Sequence, residues 1–118
     1  MSDRKLLELA AKAAEMPGKW DEKDDGWFIS NNEGGWFSYI RWDPLENNGQ
    51  AFKLMVKLNL FVSHQWTYAP GEDTPYANVV VDNAEQTVPS GEIKGSDPYA
   101  ATRRAIVRAA AAIGKGMK

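Results

Sequence analysis

Three arginines near the end of the chain, Arg103, Arg104 and Arg108 in SDPYAATRRAIVRAAAAIGKG, are the side chains best suited to grip a partner. Each guanidinium is a planar fork that matches phosphate oxygens or an acidic side chain. Projected as a helix at about 100° per residue, Arg104 and Arg108 share one side and Arg103 lies at the boundary near Val107. Tyr99, Thr102, Ile106, Ala109, Ala110 and Ile113 gather opposite them. Two readings stay open at this point. Either the helix packs through its isoleucines and the arginines merely keep its back wet, or they form a contact surface kept low by Ala100, Ala101, Ala111 and Ala112. Such a small-residue face also suits a second copy of the chain, so a homodimer is one expectation.

The aromatic set Trp20, Trp27, Phe28, Trp36, Phe37, Tyr39 and Trp42 could serve as a stacking platform for single-stranded nucleic acid. Its neighbours are Asp21, Glu22, Asp24, Asp25, Glu33 and Asp43, an acidic rim that repels phosphate. Core packing is the plainer reading, and an exposed protein-binding patch the sharper one, with Trp27, Trp36 and Tyr39 as its candidate anchors. The run DEKDDG, Asp21 to Gly26, has the look of a calcium loop but lacks ligands at its third and twelfth positions, Lys23 and Asn32. A solvated acidic linker is expected instead. His64, the one histidine, alternates with Leu60, Val62 and Trp66 and is expected on the buried side. No motif offers it an orienting carboxylate or a nucleophile. Neither GEDTP nor GEIKG has the spacing of a phosphate-cradling loop. The expectation is a protein that is not an enzyme and has no metal and no cofactor.

Bulk composition narrows the classes further. The 118 residues suffice for one domain with its own core, and no cysteine is available for disulfides or thiolate metal sites. No stretch reaches the roughly 18 apolar residues of a membrane span, and the first residues lack a secretory h-region, so a cytoplasmic location without membrane contact is expected. A net charge of −2 argues against a general polyanion binder. The charge is unevenly spread: residues 1–25 sum to −2, residues 26–96 to −4 and residues 97–118 to +4. Any anion-binding role therefore belongs to the last helix.

The elements that must position these residues follow from periodicity. Leu6, Leu9, Ala10, Ala13 and Met16 predict a helix over 2–16, capped by Ser2 or Asp3, supported by a Glu8–Lys12 pair and ended by Pro17-Gly18. WFISNNEGGWFSYIRW predicts a hairpin, with Trp36, Ser38, Ile40 and Trp42 on one face and Phe37, Tyr39 and Arg41 on the other. Residues 48–68 fit both helix and strand. Because so long a strand is improbable in a small domain, they divide into a helix over 48–58 and a strand over 59–68. YANVVVD is the antiparallel return strand, and 83–95 reads as loop with room for a short edge strand. Asp97 caps the last helix with Pro98 at its first position, and Gly114 or Gly116 ends it. The fold class is α+β, an antiparallel β-sheet with packed helices in the order α-ββ-α-ββ-α.

Residues 41–114, especially RWDPLENNGQAFKLMVKLNLFV and DPYAATRRAIVRAAAAIG, resemble small bacteriophage and prophage proteins of the phage ABA-sandwich type. The likeness rests on the turn Trp42-Asp43-Pro44-Leu45, the helix over 48–58, the strand pair over 59–82, and an A–RAIV–AA pattern from Ala101 to Ala110. Asn47-Asn48-Gly49-Gln50 departs from it, since relatives tend to be acidic before that helix. The resemblance implies a phage-encoded accessory protein in the bacterial cytoplasm and carries over no functional residues. Two expectations result: a binding protein for a host or phage protein, such as a host-defence or metabolic enzyme, or a nucleic-acid accessory protein using Arg103, Arg104, Arg108, Lys115 and Lys118.

Overall fold

A computed structural model describes residues 2–31, 38–67, 71, 76–83, 90–93 and 97–117. Its elements are α1 (Asp3–Ala13), β1 (Lys19–Asp21), β2 (Gly26–Asn31), β3 (Ser38–Trp42), α2 (Asn48–Lys57), β4 (Leu60–Thr67), β5 (Tyr76–Asn83), β6 (Ser90–Ile93) and α3 (Pro98–Gly116). The α+β class and the alternation of helices with antiparallel strand pairs are as the sequence leads one to expect. Each pair carries a third short strand, and the strands form two separate sheets, β1-β2-β3 and β4-β5-β6. With three residues, β1 is too short to display an alternation, and it hides in the acidic stretch expected to be a linker. That stretch is a hairpin turn. The Asp21 Oδ1 accepts the N–H groups of Lys23 at 2.9 Å and Asp24 at 3.1 Å, while Asp25 adopts a left-handed φ of 49°.

Helix α1 begins where Ser2 accepts the Lys5 N–H, and it stops sooner than its periodicity implies. Glu15 turns left-handed at φ 54°, and the Met16 N–H reaches back to the Ala11 carbonyl at 2.9 Å, a six-to-one closure of the helix end. Glu8 pairs with Arg4 at 2.7 Å instead of Lys12, whose ammonium donates to the Met117 carbonyl at 2.9 Å. Gly18 then crosses under β2 at φ 108°, where any Cβ would overlap the Phe28 carbonyl oxygen.

The ambiguous segment divides as expected into α2 and β4. The switch is made by Asn59 at φ 53°, a left-handed stop, and the Asn83 side chain donates to the Leu58 carbonyl at 2.6 Å. Asn47 caps the start of α2 by accepting the Gln50 N–H at 2.8 Å. Among the described residues no helix is long and apolar enough to cross a membrane.

The core is built around α3. Ala105, Ile106, Val107, Ala109 and Ala110 are buried, as are Leu6, Leu7 and Ala10 of α1 and Val79 and Val81 of β5. Full burial of a valine or leucine side chain is worth about 1.5–3 kcal/mol, so the aliphatic members carry most of the stabilisation. The alanines contribute little area but let backbones come close. Contacts at Asp3–Arg104, Leu9–Gly114 and Lys12–Met117 advance together along both chains, so α1 and α3 run side by side in the same direction. At Gly114 a Cβ would overlap the Leu9 carbonyl oxygen.

Register places Trp20, Trp27 and Trp42 in one row across the first sheet. Trp42 is buried, and Trp20 and Trp27 are half-buried against the core. The Arg4 guanidinium lies 5.2 Å from the centre of the Trp20 ring and pairs with Glu22 at 2.7 Å, tying α1 to the first hairpin.

Candidate functional site

Helix α3 has two flanks, one against α1 and one against α2, and the three arginines divide between them. Arg103 faces α2. Its Nε donates to the Leu45 carbonyl at 2.7 Å and its Nη1 to Asn48 Oδ1 at 2.7 Å. The guanidinium thus closes off the turn before α2. Arg104 faces α1 and donates to Asp3 Oδ1 at 3.1 Å. Arg108 is exposed, and with Arg104, Lys115, Ala111, Ala112 and Leu6 it lines an open cleft of about 430 Å³ between the two helices. Arg104 and Arg108 therefore do share a surface, whereas Arg103 is turned to the other side and committed to packing.

Of the candidate aromatic anchors, Trp27 is half-buried, and its Nε1 donates to the Pro17 carbonyl at 3.0 Å. Trp36 and the side chain of Tyr39 lie outside the described residues. His64 is not buried as its alternation implied: it is exposed, because the space between β4 and α3 stays open there, and its Nε2 lies 3.5 Å from the Thr102 hydroxyl. That hydroxyl donates to the Pro98 carbonyl at 2.8 Å, so its proton belongs to the helix.

On the α2 flank an open groove of about 380 Å³ runs between α2, β4 and α3. Its walls are Phe52 and Met55 of α2, Val62 and His64 of β4, and Tyr99 and Ile106 of α3. Phe52 is 61% exposed and Tyr99 69%, so one large aromatic side chain stands in water on either side of the groove. Among the described residues no carboxylate lines it. Helix α2 carries Lys53 and Lys57 and α3 carries Arg103, Arg104, Arg108 and Lys115, and neither helix contains an acid. The groove is apolar within, and Arg103 is the cation among its described lining residues, since Lys53 and Lys57 face the other side of α2 and Arg104, Arg108 and Lys115 face α1.

Periodicity had placed Tyr99 with the packing residues. At the first turn of α3 it stands exposed on the rim of the groove. Phe52 carried a legible signal, since it falls outside the stripe formed by Ala51, Leu54, Met55 and Leu58, and a phenylalanine off the apolar face is one left for water or a partner.

No group of three or more His, Asp or Glu side chains that could hold a metal ion is present among the described residues. No protein-family model, no curated protein and no solved structure matches the chain.

Proposed function

We propose that this chain is a small phage-encoded accessory protein that acts without catalysis, by binding a host or phage protein in the bacterial cytoplasm. The resemblance of residues 41–114 to phage proteins supports the origin. The binding role rests on one observation, the apolar groove flanked by exposed Phe52 and Tyr99. Leaving two large aromatic side chains in water forgoes their burial, and aromatic anchors often carry much of the energy of protein interfaces. The lining defines the partner's chemistry: a segment with apolar side chains to enter the groove between Phe52 and Tyr99. A host-defence or metabolic enzyme inhibited by occlusion fits that description.

The test is capture of the partner by the tagged chain in nuclease-treated lysate of infected bacteria, repeated with Phe52→Ala and Tyr99→Ala. Alanine at either position is expected to cost about 2 kcal/mol of binding or more while leaving the fold intact. A partner held equally well by both variants would refute the groove.

A second reading draws on the cleft lined by Arg104, Arg108 and Lys115, where a phosphate backbone would compete with Asp3 for Arg104. It requires affinity for nucleic acid that falls steeply with salt and disappears in Arg104→Glu/Arg108→Glu. Binding that ignores salt removes it.

A further inference from the structure

Past the end of α1 an open cleft of about 330 Å³ lies between the first sheet and α2. Trp42 and Leu54 form the floor, both almost inaccessible, and half-buried Met16 and Ile29 form the walls. Lys53 and Lys57 stand at the mouth, one helical turn apart. Both are exposed and make no hydrogen bond or ion pair among the described residues. Gln50 also borders the cleft, but its amide is spent. Its Oε1 accepts the Asp43 N–H at 2.6 Å and its Nε2 donates to the Arg41 carbonyl at 2.9 Å. Among the described residues no acid lines the cleft, so the chemistry they offer is an apolar trough closed by two ammonium groups.

We propose that this cleft binds a small amphipathic carboxylate. Its hydrocarbon body lies against Met16, Ile29, Trp42 and Leu54, and its carboxylate sits between the Lys53 and Lys57 ammonium groups. The body is drawn in by burial of its own apolar surface and that of the walls. The charge is chosen by the lysines, whose aliphatic stems extend the walls while their heads remain in water. A monoanion suits the mouth better than a phosphate for two reasons. The lysines are point charges without the fork of arginine or a cradle of backbone N–H groups. They also lie in the second half of α2, where the helix carbonyl end disfavours a more highly charged group. The site shares no lining residue with the groove on the other side of α2, so it stands or falls independently of the protein-binding role.

Decanoate, kept below its micellar range, is the probe, titrated into the full chain by calorimetry and by amide and indole NMR shifts. Decanol and decyltrimethylammonium serve as neutral and cationic counterparts. Saturable binding is expected, with shifts at the amides of Lys53, Leu54 and Lys57 and at the Trp42 indole. Decanol and the ammonium compound should bind at least about tenfold more weakly. Lys53→Gln/Lys57→Gln should lose about tenfold for decanoate and nothing for decanol, and glutamine keeps the helix propensity of lysine, so the fold persists. Phe52→Ala should leave decanoate affinity unchanged. Decanol binding as tightly as decanoate, full affinity in the double-glutamine variant, shifts confined to the α2–β4–α3 groove, or no saturation at all would each overturn the proposal.

Discussion

Helix α3 meets a helix on either flank, and the two meetings are built from different residues. Toward α1 the contact is made by glycine and alanine, with Gly114 so close to Leu9 that no side chain fits between them. Toward α2 it is made by one long polar side chain, Arg103, reaching the Leu45 carbonyl and Asn48. Small residues close an interface because backbones can approach, and a long arginine holds its partner at a distance. The first flank is tight where Gly114 meets Leu9 and opens elsewhere into the basic cleft of Arg104, Arg108 and Lys115, whereas the second leaves an apolar groove with Phe52 and Tyr99 on its lips. Residue size and type at a few positions on one helix thus decide where it closes on its neighbour and what chemistry each opening presents.

Filling the closed flank should do the most damage. Gly114→Val forces Cβ and two methyl groups into the Leu9 carbonyl, and a loss of about 3 kcal/mol is expected from overpacking, read as a lower urea midpoint. Cutting the strut on the open flank should do less. Arg103→Ala leaves the Leu45 carbonyl and Asn48 without their charged donor, costing about 2 kcal/mol, and Arg103→Lys should not restore it, since an ammonium cannot make both bonds in the same geometry. Trimming the lips should hardly matter to the fold: Phe52→Ala and Tyr99→Ala are expected within about 0.5 kcal/mol of the parent in the same melts. Substantial destabilisation by either would mean that these rings pack, and the contrast between the flanks would vanish.

The smallest effect concerns Asp43, which opens the turn that Arg103 holds. Partial burial pushes its carboxyl pKa up, aided by the nearby Glu46 charge and opposed by the Leu45 N–H and Arg41. A raised value in the folded state means that protonation favours folding. The contribution is therefore complete below the ordinary carboxylate range and is lost as pH rises through the raised value. Asp43→Asn should gain on the parent in urea melts as pH rises through the carboxylate range and fall behind it again in acid. A difference between the two that is constant with pH would deny the burial penalty.

Much of this architecture was legible in the residues. Asp97-Pro98 announces the start of α3, and the alternation after Leu58 announces β4, because caps and periodicity are local. Asn59 could have marked the boundary between α2 and β4 more sharply, as asparagine is the usual non-glycine residue to turn left-handed at a helix end. What could not be read is tertiary. Three residues of β1 have no period of their own and become a strand only by pairing with β2. Tyr99 and His64 obey the right periodicity but line the groove in which α2, β4 and α3 do not close on one another. Arg103 and Arg104 are neighbours in sequence, yet each serves a different flank, since successive residues on a helix diverge by about 100°.

The claim that the open flank is the contact surface is tested most directly by one pull-down, run after nuclease treatment with four baits side by side: parent, Phe52→Ala, Tyr99→Ala and Arg104→Glu/Arg108→Glu. A stoichiometric protein partner is expected to be retained by the parent and the arginine variant and lost from both aromatic variants. A partner lost from the arginine variant and kept by the aromatic ones would contradict it, and would move the site to the basic cleft between α1 and α3.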